Sequence, residues 1–115
     1  MRVRLLRNVP VMRYVNLTPH AVTVTGWEPI PPSGTVARVE VEFSEFDPRT
    51  KVSVARYGRP LGVPEPEEGT FYIVSAMVSQ AMPTRNDVVA PATGHPSVVR
   101  DAKGQIVSVP GFVLC

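Results

Sequence analysis

The sequence is poor in the residues that build disulfides and metal sites. Cys115 is the single cysteine, which excludes an internal disulfide, and with His20 and His95 as the two histidines a structural zinc site is not expected. No apolar run approaches the roughly 20 residues that cross a membrane. The first residues mix arginines into a short apolar stretch without a clear cleavage site, so they make a poor signal peptide. The sequence therefore predicts a cytoplasmic protein without a metal or another cofactor.

Net charge is also small. Twelve Lys and Arg against ten Asp and Glu give a formal charge of +2 at pH 7, too little to make bulk nucleic-acid binding the first interpretation. Lysine is the scarcer cation, with Lys51 and Lys103 as its two examples. The arginine fork suits carboxylate or phosphate, although a GC-rich genome produces the same bias without a functional cause.

Turn residues, by contrast, are abundant. Thirteen prolines and eight glycines punctuate the chain, as expected for short strands joined by turns rather than for a helical bundle. A chain of 115 residues is long enough for one modest core. We predict a mainly β (β-rich α+β) fold: a small antiparallel barrel or sandwich of six to eight short strands with one short helix over about 75–82.

Residues 12–115 are predicted to form this single domain, with residues 1–11 as an N-terminal extension or arm. The extension carries Arg2, Arg4 and Arg7. It is either a loosely attached segment, which lies upstream of the protein if Met12 is the start, or an edge strand or basic arm used in assembly.

Alternating apolar residues predict the strands. Residues 13–17, 21–25, 35–43 and 51–57 show this pattern, and 97–100 with 105–109 flank a turn that ends in Gly104. Residues 70–74 are a compact apolar run of strand formers. Within 35–43, the apolar positions predict one buried face and the charged positions one wet face. The buried set comprises Ala37, Val39, Val41 and Phe43. The segment 51–57 would pair with this strand as a hairpin, 70–74 would be central, and the apolar tail 110–115 would dock.

The period changes from strand to helix after Val74. Ser75 is a natural N-cap, apolar residues then recur at helical spacing, and Pro83 marks the stop. About two turns of helix are predicted.

Seven positions at predicted element ends make a candidate binding site for an anion. They are Thr18, His20, Arg38, Tyr57, Ser75, Arg85 and Asp87. A helix beginning at Ser75 offers free N–H groups to an anion, and Tyr57 or Tyr72 would stack on a base. Together these side chains would suit a phosphate or nucleotide pocket.

Each position also has a purely structural interpretation. Thr18 to His20 would be a turn whose side chains satisfy nearby backbone groups, and Ser75 a plain N-cap. Arg85 and Asp87 are close enough to form a local ion pair. Arg38 would belong to a solvated row of charges.

Catalytic patterns are weaker. Ser75 with His20 is the best nucleophile and base on offer, and His20 is a candidate acid or base for phosphodiester cleavage. No Walker loop, paired-carboxylate motif or metal-ligand spacing is present in the sequence. Whether the protein is an enzyme stays open, and a role without catalysis is favoured.

The stretch Asn-Leu-Thr-Pro-His-Ala-Val at 16–22 resembles the signature of a family of small phage and prophage proteins. Later stretches fit the same pattern, and they lie at 32–39, 69–75, 83–87, 99–101 and 104–106. The resemblance spans about 12–112 and leaves residues 1–11 outside. It implies a protein encoded by a mobile element, and it implies much less about activity.

Three functional hypotheses follow. The first is a phage-type sponge that sequesters a small anionic, nucleotide-derived ligand to blunt host defence, acting in the host cytoplasm. The second is a structural protein of the virion, for capsid decoration or assembly. The third is a small phosphodiester hydrolase. The edge strands and apolar tail also predict a homo-oligomer, with no membrane partner.

Overall fold

A computed structural model describes residues 12–115 of the chain. The predicted extension 1–11 lies outside the described residues. Within them are eight strands and one helix. The strands are β1 (Arg13–Asn16), β2 (Arg38–Phe43), β3 (Ala55–Leu61), β4 (Thr70–Ile73), β5 (Val88–Pro91), β6 (Val99–Arg100), β7 (Ile106–Ser108) and β8 (Phe112–Val113), and the helix is α1 (Ala76–Gln80). The predicted fold class, mainly β with a short helix, is confirmed.

The strands form one sheet of four and two hairpins. The central sheet has the order β1-β4-β5-β8, while β2 pairs with β3 and β6 with β7. Pairing is antiparallel in both hairpins and between β5 and β8. It is parallel for β1–β4 and β4–β5, where antiparallel pairing was expected. Parallel neighbours need a crossover, which α1 supplies between β4 and β5. Residues 12–115 form no closed barrel.

One face of the central sheet packs against α1 and the start of β2. Because paired residues share a face, the register of Val15 with Tyr72 and of Tyr72 with Val88 identifies this face. The side chains buried there form the main hydrophobic cluster. They are Leu17, Ala37, Tyr72, Val74, Val78 and Val88. The predicted central strand 70–74 is therefore confirmed as the middle of the core.

The helix begins as predicted. Ser75 has extended backbone angles, and its side-chain oxygen accepts a hydrogen bond from the Val78 amide, which satisfies one of the free N–H groups of the first turn. The helix has five residues and buries Val78 and Ser79. It therefore covers the sheet but is too short to provide a strong dipole.

The β2–β3 hairpin departs from the prediction of a fully buried apolar face. Ala37 is buried and Val39 half-buried, but Phe43 is 68% exposed. The alternation along β2 is as predicted, yet the hairpin runs beyond the sheet and helix that cover its base. The pattern indicates which residues share a face, and it does not indicate how far the covering layer reaches.

The segment predicted as a strand at 21–25 makes only isolated bridges, between Val22 and Ile30 and between Val24 and Val109. The predicted hairpin at 97–109 forms, with Gly104 at a φ of 82°. The tail docks through β8, which pairs with β5. No helix in the described part of the chain is both long and apolar enough to cross a membrane.

Candidate functional site

Asn16 ties together the stretch that follows it. Its amide nitrogen donates to the carbonyl oxygens of His20 at 2.8 Å and Ile30 at 3.0 Å. Its side-chain oxygen accepts from the backbone N–H of Thr18 at 2.9 Å and from the Thr18 hydroxyl at 2.6 Å. Asn16 is 1% exposed, so these bonds satisfy a buried amide that would otherwise be costly. The structural interpretation of Thr18 is the one that these contacts support.

These bonds close a loop over residues 18–33. The Ser33 amide donates to the Asn16 carbonyl at 2.9 Å, and Val22 and Ile30 exchange two backbone bonds. Trp27 lies within this loop, and its ring meets the Tyr14 ring edge-on at a centroid distance of 5.3 Å. The Asn-Leu-Thr-Pro-His stretch therefore anchors a loop that carries a tryptophan.

Arg85 and Asp87 form a bidentate ion pair. Nε of Arg85 donates to one Asp87 oxygen at 2.7 Å and an Nη donates to the other at 2.9 Å. The same guanidinium donates to the Pro64 carbonyl at 3.0 Å. The hydrogen bonds from Arg85 hold the pKa of Asp87 below its usual value, and the bond to Asp87 raises the pKa of Arg85. The pair fastens the proline-rich loop to the start of β5.

Arg38 and Tyr57 lie on opposite faces of the β2–β3 hairpin. Tyr57 pairs with Val41, whose side chain shares a face with Val39, whereas Arg38 alternates with Val39. Tyr57 borders a groove of about 510 Å³ beside α1, together with Val39, Ala76, Met77, Gln80 and Ala81. The Tyr57 ring could stack on a base there. The groove has no charged lining residue to bind a phosphate.

The seven predicted site residues are spread over several places. Three of them border cavities, and each borders a different one: Tyr57 the groove beside α1, His20 a groove next to β7, and Asp87 a cleft beside Glu67 and Glu68. Ser75 caps α1. Tyr72, the alternative stacking residue, is 3% exposed in the core, so the prediction that it could stack on a ligand is wrong.

No group of three or more His, Cys, Asp or Glu side chains among residues 12–115 is arranged to hold a metal ion. Of the groups considered for catalysis, Ser75 has its hydroxyl oxygen engaged by the Val78 amide. Cys115, the single thiol of the chain, is exposed. Neither residue has the setting of an activated nucleophile.

An aromatic surface covers part of the other face of the central sheet. Tyr14 of β1 is in register with Phe71 of β4, and Phe112 of β8 is in register with Pro91 of β5, so the three rings share this face. The Tyr14 ring lies 5.7 Å from Phe71 and 5.6 Å from Phe112, at interplanar angles of 20° and 23°. Trp27 completes the surface. We call these four residues the aromatic surface.

Three of these rings, those of Tyr14, Phe71 and Phe112, line an open cavity of about 270 Å³. Val89 and Leu114 complete its lining. Trp27 is 48% exposed, and Tyr14, Phe71 and Phe112 are half-buried. Rings that are held by neighbours and still face solvent offer a rigid, preformed site for a flat apolar group, because stacking then orders few side chains.

Sequence analysis missed this surface for a physical reason. Tyr14 and Phe71 alternate with Val15 and Tyr72 of the core face. This alternation alone predicts that the two rings lie on the opposite face. The convergence of the rings depends on the parallel pairing of β1 with β4 and on the loop that carries Trp27. Both are long-range contacts, which local alternation does not encode.

Comparison of the chain with protein-family models, with curated proteins and with solved structures finds no match. The resemblance to small phage and prophage proteins therefore stays a prediction.

Proposed function

We propose that this protein binds and sequesters a small, nucleotide-derived molecule and that the aromatic surface holds the base. The observation that carries the proposal is the set of near-parallel rings of Tyr14, Phe71 and Phe112, which face an open cavity. A flat heterocycle stacking on an aromatic side chain is stabilised by about 1–3 kcal/mol per base, whatever the base.

The anionic part of the ligand needs a cation nearby. Arg13 precedes Tyr14 on β1, so its side chain starts from the opposite face of the central sheet. Because β1 is an edge strand, the long guanidinium side chain of Arg13 can reach round that edge toward the aromatic surface. Its side chain is 68% exposed and lies 3.7 Å from Glu67, a contact that is worth little in water. Arg13 is therefore free to exchange Glu67 for a phosphate, whereas Arg85 is committed to Asp87 and Pro64. This places the expected anion contact on Arg13 rather than on Arg85.

Sequestration rather than turnover fits this arrangement. Stacking and a single exposed cation hold a ligand, and neither activates a nucleophile. In keeping with the resemblance to phage proteins, we propose that the ligand is a host signalling nucleotide and that binding takes place in the host cytoplasm.

The test is a binding screen with recovery of the ligand. The protein is incubated with nucleoside monophosphates, cyclic nucleotides and ADP-ribose derivatives, and Trp27, the single tryptophan, reports binding by fluorescence quenching. Intact ligand recovered after heating supports a sponge. Altered ligand supports the hydrolase, and an absence of binding across the panel contradicts the proposal.

A second arm of the experiment tests whether the aromatic surface binds the base while Arg13 binds the phosphate. Arg13→Gln is expected to weaken binding of the nucleotide about tenfold and to leave binding of the matching nucleoside unchanged, because one charged contact is lost. Added salt should weaken nucleotide binding to the wild-type protein more than to this variant. Equal effects on nucleotide and nucleoside would assign Arg13 a structural role instead.

A role in assembly is the second candidate, and a specific observation favours it. The β2–β3 hairpin exposes large apolar residues at and near its tip. They are Phe43, Phe46 and Val52. Large apolar side chains left in water at one end of a hairpin are typical of interaction sites. The same screen separates the two candidates, since an assembly protein needs no nucleotide.

A further inference from the structure

The β2–β3 hairpin has one apolar face that is uncovered toward its tip. Val39, Val41 and Phe43 alternate along β2 and so share that face, and Tyr57 joins it through its register with Val41. The register shifts by one residue between Val39 and Val41, and the extra residue of this bulge lies on β3, so the alternation along β2 is kept. Exposure rises from half-buried Val39 to Phe43 at 68%. The face thus combines an exposed aromatic knob with the groove beside α1 at its base.

We propose that a second copy of this chain covers this face, with the Phe43 ring of each copy seated in the groove of the other. The groove has a volume of about 510 Å³, is lined mainly by apolar atoms of Val39, Tyr57, Met77 and Ala81, and has Gln80 as its polar side chain. An uncharged groove suits an aromatic ring. The chain itself provides one on the same face.

The geometry of the hairpin makes this contact reciprocal. Phe43 is four residues beyond Val39, which corresponds to about 13 Å along a strand. Consider a two-fold axis that lies in the plane of the interface and passes Val41 at a right angle to the strands. Rotation about this axis places Phe43 of one copy over Val39 of the other copy. Each knob then lies over the other copy's groove, and Val41 meets Val41 of the other copy. Such an isologous contact closes on itself and gives a dimer rather than a filament.

The charges on the hairpin allow this packing. Arg38, Glu40 and Glu42 alternate with the apolar residues of β2 and lie on its other face, where Glu42 is in register with Arg56. Approach of two apolar faces therefore buries no charged side chain of β2, which avoids the desolvation penalty of those ions.

Two large aromatic side chains on this apolar face remain exposed to solvent. An aromatic side chain buries roughly 150–250 Å² when it is enclosed, so Phe43 and Tyr57, at 68% and 58% exposure, leave most of that area in water. The two-fold axis doubles every contact. The two rings supply only part of the roughly 800 Å² per partner that stable interfaces bury, so the expected dimer is weak.

The test is the oligomeric state of the full chain by sedimentation velocity over a concentration series. Wild type is expected to dimerise, and Phe43→Asp and Met77→Glu are each expected to raise the dimer dissociation constant at least about thirtyfold, because each places a charge in the apolar contact. Val54→Asp is the matched control. Val54 is also 68% exposed, but it alternates with Ala55 and so points to the opposite face from Phe43. It should dimerise like wild type.

A charge pair tests the reciprocal arrangement itself. In the double variant Phe43→Lys and Met77→Glu, each lysine meets the other copy's glutamate, so dimerisation should recover relative to either single variant. A wild-type chain that is monomeric up to about 1 mM would overturn the proposal. So would Phe43→Asp dimerising like wild type, or a double variant weaker than both singles. Circular dichroism confirms that each variant is folded. Nucleotide binding is not required for any of these outcomes.

Discussion

The two faces of the central sheet come from alternate residues of the same strands, yet they differ in chemistry. The face toward α1 is aliphatic apart from Tyr72, and its residues are buried. The opposite face is buried at Ile73 and Val89. Elsewhere it carries the aromatic surface, whose rings are half-buried or exposed. Aliphatic side chains complete an enclosed core, whereas a cluster of rings left facing water is typical of a binding site.

The largest expected loss of stability comes from truncating a side chain on the face that packs against α1. Leu17→Ala should lower the free energy of unfolding by about 3 kcal/mol, because Leu17 is 2% exposed within the main cluster and its truncation leaves a cavity. On the open face, Phe71→Leu should cost less than about 1.5 kcal/mol. Urea denaturation measures both. Equal losses would show that the aromatic surface belongs to the core.

A smaller loss is expected from the residue that ties the loop to the sheet. Asn16→Ala removes the donor to the His20 and Ile30 carbonyls and the acceptor of the Thr18 amide, and it should cost about 2 kcal/mol. The loop carries Trp27, so the near-UV circular dichroism of the tryptophan should also weaken.

The control for that change is Asn86→Ala, because Asn86 is exposed and should leave both readouts unchanged. Retention of the tryptophan signal in Asn16→Ala would mean that the packing on Tyr14, rather than Asn16, positions Trp27.

The smallest expected effect concerns the Arg85–Asp87 ion pair, which belongs to neither face of the sheet. Its contribution to stability should depend on pH. Asp87 has a depressed pKa because Arg85 hydrogen-bonds to it. Its contribution to stability is therefore present above the unfolded pKa of about 3.9 and is lost as the pH falls through the lower folded pKa. Arg85 has a raised pKa and stays charged throughout this range.

Wild type should exceed Asp87→Asn in stability at about pH 6, and the difference should shrink by about 1 kcal/mol on acidification to about pH 2.5. Asp47 also has a lowered pKa, caused by the Thr50 and Arg49 amides, but it is common to both proteins and cancels. A difference that does not change with pH would show that the two side chains do not act as an ion pair in solution.

Local patterns predicted the parts of the fold that depend on local physics. The N-cap at Ser75, the pairing of β2 with the next strand and the central position of residues 70–74 follow from side-chain type and alternation. The partner strand is shifted, because β3 spans Ala55–Leu61 rather than the predicted 51–57. The parallel pairing of β1 with β4 does not follow from local patterns, because these strands are separated by a hairpin and two long connections. Periodicity within a strand carries no information on its neighbour.

The candidate site shows the same limit. Arg85 and Asp87 are two positions apart, and their pairing was foreseen as one alternative. Arg85 also donates a hydrogen bond to the Pro64 carbonyl, so this polar pair has a structural role that needs no ligand. The aromatic surface brings together residues from β1, β4, β8 and a loop, and only the tertiary contacts reveal it.

The most direct test of the central claim is calorimetric titration of the best nucleotide from the screen into two variants. Phe112→Leu removes a ring from the aromatic surface, and Tyr57→Leu removes an exposed ring from the groove beside α1. If the aromatic surface holds the base, Phe112→Leu should weaken binding about tenfold, and Tyr57→Leu should bind like wild type. Unchanged binding by Phe112→Leu with a loss in Tyr57→Leu would contradict the account and move the site to the other side of the sheet.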